Sequence, residues 1–232
     1  LTLVYLRHNA SHTVTGAMFG VSADISERTF AEGVLLLRDL CPAHRFDAQK
    51  KWTKTQPSWS PDTLDVLLVD SFETPIGRPS VPAMQKKFYS GKKKRHTIKT
   101  QIITDSRGEV IAIETGHPGP KSDKSVYQQS MAAGQYPQAA RRGDLGYLGV
   151  PEMLLPHKRK RGKKGEKSKE LTPEQKAENQ HLARQRVYVE HGVRRLKAWR
   201  ILRDEFRLGI GLFSLVASAT VGLVHLGRIV PG

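Results

Sequence analysis

Cysteine is nearly absent from this chain of 232 residues, with Cys41 the only one. An intramolecular disulfide is therefore impossible and a cysteine-based zinc site is disfavoured, a usage that suits a reducing, intracellular compartment. The chain opens at Leu1 without methionine. No basic, apolar and cleavage segments follow one another in order, so nothing reads as a signal peptide. Because it starts inside the apolar pattern Leu1, Leu3, Val4, Leu6, the sequence reads as a piece that has lost upstream residues. Internal repeats are missing too. Apolar residues at 38%, charged residues at 26%, Gly 20 and Pro 13 exclude a collagen-like or disordered chain.

Acids are in deficit. Asp and Glu number 22 against 38 Lys and Arg, a formal net charge of +16. That excess calls for a polyanionic partner, nucleic acid first. The length suits one large domain, or a main domain with a smaller one. A single uncharged run, Leu208 to Leu226, reaches membrane-spanning length. It is diluted by Gly209, Gly211, Ser214, Ser218, Thr220 and Gly222, which suit close packing inside a protein, and it is expected to be a buried core helix.

Residues 1–45 read as short helices. Ser11 offers an N-cap before Val14, Ala17, Met18 and Phe19; Gly20-Val21-Ser22 breaks the pattern; a second helix runs through Ile25, Phe30, Val34, Leu35 and Leu36 to Cys41-Pro42. This is a helix-turn-helix layout, and a plain helical hairpin would give the same pattern. Residues 46–62, with Trp52 and Trp59, read as a linker. Leu64 to Val69 reads as a buried strand ending at Asp70, and Lys99–Thr104 and Val110–Ile113 as strands joined by the turn Asp105-Ser106-Arg107-Gly108. Gly116–Ser122 is a loop, with Ser122 or Asp123 capping a helix over Val126, Tyr127 and Met131. Tyr136–Gly143 is a poor strand by β propensity. A basic insertion spans about 157–170, and Leu171-Thr172-Pro173-Glu174 opens a long helix reaching about Trp199.

Three acids stand where chemistry usually stands. Asp70 follows an apolar strand, Asp144 precedes the glycine-bearing turn Leu145-Gly146-Tyr147-Leu148-Gly149, and Glu190 shares a helix face with Arg186, Arg194 and Lys197. Turn-capping aspartates and a surface ion-pair ladder would explain the same spacings. Gathered together, such carboxylates repel unless a divalent cation neutralises them, and hard oxygen ligands suit Mg²⁺ or Mn²⁺.

The stretches Val69-Asp70, Arg78-Pro79, Tyr89 to Gln101 with its Lys92-Lys93-Lys94-Arg95 run, Asp144 to Gly149 and Arg186 to Lys197 resemble the DDE superfamily transposases of bacterial insertion sequences, akin to Harbinger elements. Arg186, Glu190 and Lys197 match that family's Arg, three residues, Glu, six residues, Lys signature. The resemblance implies an α/β fold: an RNase H-like catalytic domain at 63–232, a mixed sheet flanked by helices, behind a partial helix-turn-helix at 1–45. It implies a transposase that cleaves and transfers DNA strands at the ends of a mobile element. Asp70, Asp144 and Glu190 would be its catalytic, metal-binding acids for Mg²⁺ or Mn²⁺. Lys92, Lys93, Lys94, Arg95, Arg186, Arg194 and Lys197 would contact DNA. Double-stranded DNA is the expected partner, with a homo-oligomer on the DNA, no membrane, no small-molecule substrate, and a cytoplasmic, nucleoid-associated location. The alternatives are a non-catalytic DNA-binding protein derived from a transposase, a decayed copy, or a basic RNA-binding protein. His96 and Asp123 stay outside the catalytic set, Asp123 as a helix cap.

Overall fold

The computed structural model describes residues 1–52, 64–130, 136, 138–159 and 170–229. The chain opens with α1 (Thr2–His8), α2 (His12–Phe19), α3 (Ala23–Leu40) and α4 (Arg45–Trp52). Ser11 and Ser22 cap α2 and α3 by accepting the N–H of Val14 and Ile25, and Gly20, at φ 68°, ends α2 in the left-handed region. The pair is therefore two helices joined by the tight turn 20–22. Its packing differs from the apolar periodicity of α2. Thr15 and Gly16 are the buried residues, while Val14, Met18 and Phe19 face outward. A Cβ on Gly16 would lie 2.7 Å from the Val21 carbonyl oxygen, and the Thr15 hydroxyl meets that of Ser26 at 2.8 Å. So close an approach leaves no room for the larger side chains between the helices.

Helix α4 occupies the first part of the stretch read as linker, with Ala48 buried against the domain. The remainder, including Trp59, lies outside the described residues.

The sheet holds β1 (Val66–Pro75), β2 (Tyr89–Ser90), β3 (Arg95–Thr104), β4 (Val110–Pro118), β5 (Ala140–Arg142) and β6 (Met153–Leu154). Strand β3 pairs antiparallel with β1 on one side and with β2 and β4 on the other, while β5 runs parallel to β1 and β6 parallel to β5. This is a mixed sheet. Strand β1 does not stop at Asp70; its ladder with β3 continues from Leu68↔Thr104 to Pro75↔Thr97. The polar residues that mimic a strand end are paired along the backbone, with Phe72 and Thr74 buried between them. Likewise β4 extends to Pro118, through residues whose sequence looks like a loop. The weak strand β5 forms because Arg141 is buried with its guanidinium donating to the Ala139 and Tyr136 carbonyls.

Helix α5 (Pro82–Phe88) precedes the β2–β3 hairpin, and α6 (Asp123–Gln129) follows β4 with Ser122, not Asp123, as its N-cap. The long helix α7 (Pro173–Lys197) starts at a capping box made by Thr172 and Gln175. It crosses β1 and β3 where Gly192 lets it close on the sheet: a Cβ there would lie 2.9 Å from Thr104 Cγ2. After α8 (Arg200–Arg203), α9 (Phe213–Ile229) buries Phe213, Val216, Ala217, Ala219 and Val221 in the main core. By length and composition the segment 210–228 could cross a membrane, but here it packs against α3, α4, β4 and α7. Residues 160–169 of the basic insertion lie outside the described residues.

Candidate active site

Strand β5 is only three residues long and pairs with β1 no further than Leu68↔Arg142. Among the described residues the next backbone partner on that side of β1 is at Pro75, whose carbonyl accepts the N–H of Phe206. Between these points β1 exposes a backbone edge, and both of its faces open into one cavity of about 550 Å³. Asp70, Ser71, Phe72 and Glu73 form the floor. The turn 90–93 makes one wall and the loop 119–123 another, while α7 contributes Glu190, Val193, Arg194 and Lys197. Asp70 and Asp144 each follow the last β1–β5 pair by two residues, Asp70 still within β1 and Asp144 just beyond the end of β5.

Asp70 is half-buried and accepts the Ser71 backbone N–H at 2.8 Å. Burial pushes its carboxyl above the usual range; the Ser71 N–H and the Arg186 charge pull it back, and the charges of Asp144 and Asp123 raise it further. Asp144 caps the 3₁₀ turn Leu145–Tyr147, accepting Gly146 N–H at 2.8 Å. Tyr147 is fully buried beneath these acids and receives a hydrogen bond from the Gln101 amide at 3.3 Å. Its hydroxyl is held far above the ordinary phenol range by burial and by the charges of Asp123, Asp70 and Asp144.

Of the three expected acids, Asp70 and Glu190 line the same cavity. Asp144 is not among the lining residues but is close enough to act on Asp70. Among the described residues, no three His, Cys, Asp or Glu side chains stand close enough to hold a metal ion between them. Of the expected DNA contacts, Lys92, Lys93, Arg194 and Lys197 line the cavity, and Arg186 stands close enough to act on Asp70. Lys94, in the left-handed region at φ 54°, and Arg95 are exposed beyond it. The Lys197 ammonium sits 5.2 Å over the Phe72 ring, where burial and the Lys93 charge lower its proton affinity against the pull of Asp70 and Glu73.

The site also uses residues that spacing did not single out. Asp123 is no helix cap; its Oδ1 accepts from the Ser71 hydroxyl at 2.6 Å and from Lys99 Nζ at 2.8 Å. Lys99 also donates to the Lys121 carbonyl at 2.5 Å, and Thr97 donates to Glu73 at 2.6 Å. One signal was available. Thr97, Lys99 and Gln101 alternate with Ile98, Thr100 and Ile102 and so share one face of β3, and buried polar side chains are retained where they have partners.

Residues 69–225 match the family described as DDE superfamily endonuclease. The chain is 32% identical over 171 residues to a probable transposase for insertion sequence element IS702 from Microchaete diplosiphon, covering 71% of this chain and 58% of that protein. It is 27% identical over 207 residues to a putative transposase for insertion sequence element IS112 from Streptomyces albus G, covering 88% of this chain and 69% of that protein. No solved structure matches it significantly.

Proposed function

The chain belongs to the DDE superfamily endonucleases, and on that premise we propose that it is a transposase, cutting and joining DNA strands at the ends of a mobile element with the help of divalent metal ions. The observation that carries the reading is a single cavity that joins Asp70 and Glu190 to a rim of Lys92, Lys93, Lys121, Arg194 and Lys197, with the Asp144 charge acting on Asp70. A cavity with cations at its rim and carboxylates at its floor takes phosphates at the edge and does chemistry at the base.

The donor set fits Mg²⁺ or Mn²⁺, since the floor offers carboxylate oxygens and no sulfur or imidazole. Asp70, Asp144 and Glu190 would hold the ions, which when bound would activate a water, or the 3′-hydroxyl of a cleaved DNA strand, as nucleophile and stabilise the leaving oxygen. The side chains do the rest. Lys92, Lys93, Arg194 and Lys197 bind the phosphodiester backbone and orient the scissile bond over the floor. The Ser71 N–H and Arg186 favour the ionised form of Asp70 that a cation needs. The sheet order, with β5 leaving β1 beside Asp70, supports an RNase H-like domain.

The α2–α3 pair is proposed to bind DNA as a helix-turn-helix, and the protein to work as a homo-oligomer on double-stranded DNA in the cytoplasm. Helix α3 carries Asp24, Glu27, Glu32 and Asp39 against Arg28 and Arg38, so phosphate attraction comes from the cavity rim rather than from this helix. A second reading, DNA binding without cleavage, draws on the spacing of the acids, no three of which stand at shared-metal distance among the described residues. Incubation with DNA carrying matched element ends separates the two. Mg²⁺-dependent nicking that stops in excess chelator is expected, and cleavage persisting in chelator, or none from protein that binds the same DNA, would end the transposase reading.

A further inference from the structure

Asp123 and Asp144 both act on Asp70 at the β1 edge, and Asp123 is already occupied. Asp123 Oδ2 and Asp144 Oδ1 lie 2.7 and 2.8 Å from the point where a Cβ on Gly146 would stand, so only a glycine at 146 lets these two groups come together. Like charges this close repel unless a cation lies between or beside them. Here the cation is a side chain. Lys99 Nζ, on a side chain only 8% exposed, bonds Asp123 Oδ1, and the Ser71 hydroxyl bonds the same oxygen. Lys99 is fixed in turn by the Lys121 carbonyl, on a loop that Gly119 presses onto β3: a Cβ at 119 would meet Thr97 Oγ1 at 1.8 Å.

We propose that Lys99 is a positioning residue of the acidic site: by engaging Asp123 it keeps that fourth carboxylate out of the metal-ligand set and leaves the set at Asp70, Asp144 and Glu190. The inference rests on the metal-dependent function proposed for the cavity. The ammonium fills with one fixed charge the place a further metal ligand would otherwise offer. The Ser71 bond ties the arrangement to Asp70, because the backbone N–H of the same residue sits on the Asp70 carboxylate.

The test is Mn²⁺ binding to the full chain without DNA, followed by electron paramagnetic resonance of the free ion, with circular dichroism to certify folding. Removing the ammonium releases Asp123 beside Asp144, and an added carboxylate ligand tightens cation binding. Lys99→Met should therefore gain about tenfold in Mn²⁺ affinity, Lys99→Arg should stay near the parent, and Lys99→Met with Asp123→Asn should fall back to within about threefold of it. A folded Lys99→Met protein with unchanged or weaker binding overturns the proposal, as does a double variant that keeps the gain. If Lys99→Met does not fold, Lys99→Gln carries the same expectations. Asp123→Asn alone decides the remaining case: affinity within about threefold of the parent supports the proposal, and a loss of about tenfold makes Asp123 a ligand already and overturns it. Asp70→Asn tests the underlying function separately. If it leaves parental binding untouched, Asp70 is not a ligand, whereas the Lys99 comparison still reports on Lys99.

Discussion

Single residues carry unequal weight in the cavity, and Asp70 carries the most. It is the acid on which Ser71, Arg186, Asp123 and Asp144 all act. Asp70→Asn, Asp144→Asn and Glu190→Gln should each cut Mg²⁺-dependent nicking by about 10³-fold, the several kcal/mol that a bound metal contributes to the transition state, while leaving DNA affinity within a few-fold. Gel-shift and nicking assays on the same preparations check this. Loss of both together would assign the acids to folding. Lys197 offers a different readout. Because burial over Phe72 and the neighbouring Lys93 lower its proton affinity, it turns neutral at lower pH than an ordinary lysine, and its attraction for phosphate fades as pH rises through that lowered value. DNA affinity of the parent should therefore begin to fall at lower pH than that of Lys197→Arg, which stays charged. Coincident affinity curves for the two proteins would remove Lys197 from the DNA contacts.

Elements set where those residues stand, and the crossing that places Glu190 is that of α7 on the β3–β4 hairpin. A Cβ on Gly192 would lie 2.9 Å from Thr104 Cγ2 and 3.2 Å from the Gly108 carbonyl oxygen. Gly192→Ala should cost about 1–3 kcal/mol by overpacking, measured by urea unfolding, and because Glu190 lies on the same helix, nicking should fall as well. The seat of α9 on the α3–α4 connection carries a pH signature. His225 is buried, donates from Nε2 to the Ala43 carbonyl, and has its pKa pushed down to about 4, chiefly by burial. A lowered histidine pKa means the unfolded chain takes up the proton first. Stability is full above about pH 6.5 and falls by about 3 kcal/mol on going down to about pH 4, a loss that His225→Gln should lack. Parallel denaturation curves at the two pH values check it. Much of this layer was legible in the sequence: Thr172-Pro173 opens α7, Ser11 caps α2, and the glycine- and serine-diluted run folds as the core helix α9. What escaped was polar and buried. Strand β1 runs past Asp70 because Asp70, Phe72 and Thr74 continue the ladder on β3, β5 forms around a buried Arg141, and Asp123 reaches the site because a serine beside it takes the capping role. In each case a tertiary partner, invisible to local pattern, overrides propensity.

For the whole molecule the governing quantity is charge, and the question is which cations of the +16 excess meet DNA rather than water. The cavity rim brings Lys92 and Lys93 together with Arg194 and Lys197, and Lys94 and Arg95 are exposed outside its lining. A phosphate backbone crossing this cleft would displace condensed counterions in proportion to the number of phosphates neutralised, so log affinity falls linearly with log salt. Neutralising Lys92 through Arg95 together should weaken binding to any DNA sequence and flatten that slope by up to about 0.9 for each phosphate left without its cation. Neutralising the basic residues between 158 and 169 should flatten it less. Titrations of one random-sequence duplex across a salt series give both slopes. A Lys92–Arg95 variant with the parental slope would show that the run serves solubility, and phosphate binding would then fall to Arg194 and Lys197, whose own substitutions should carry the missing change.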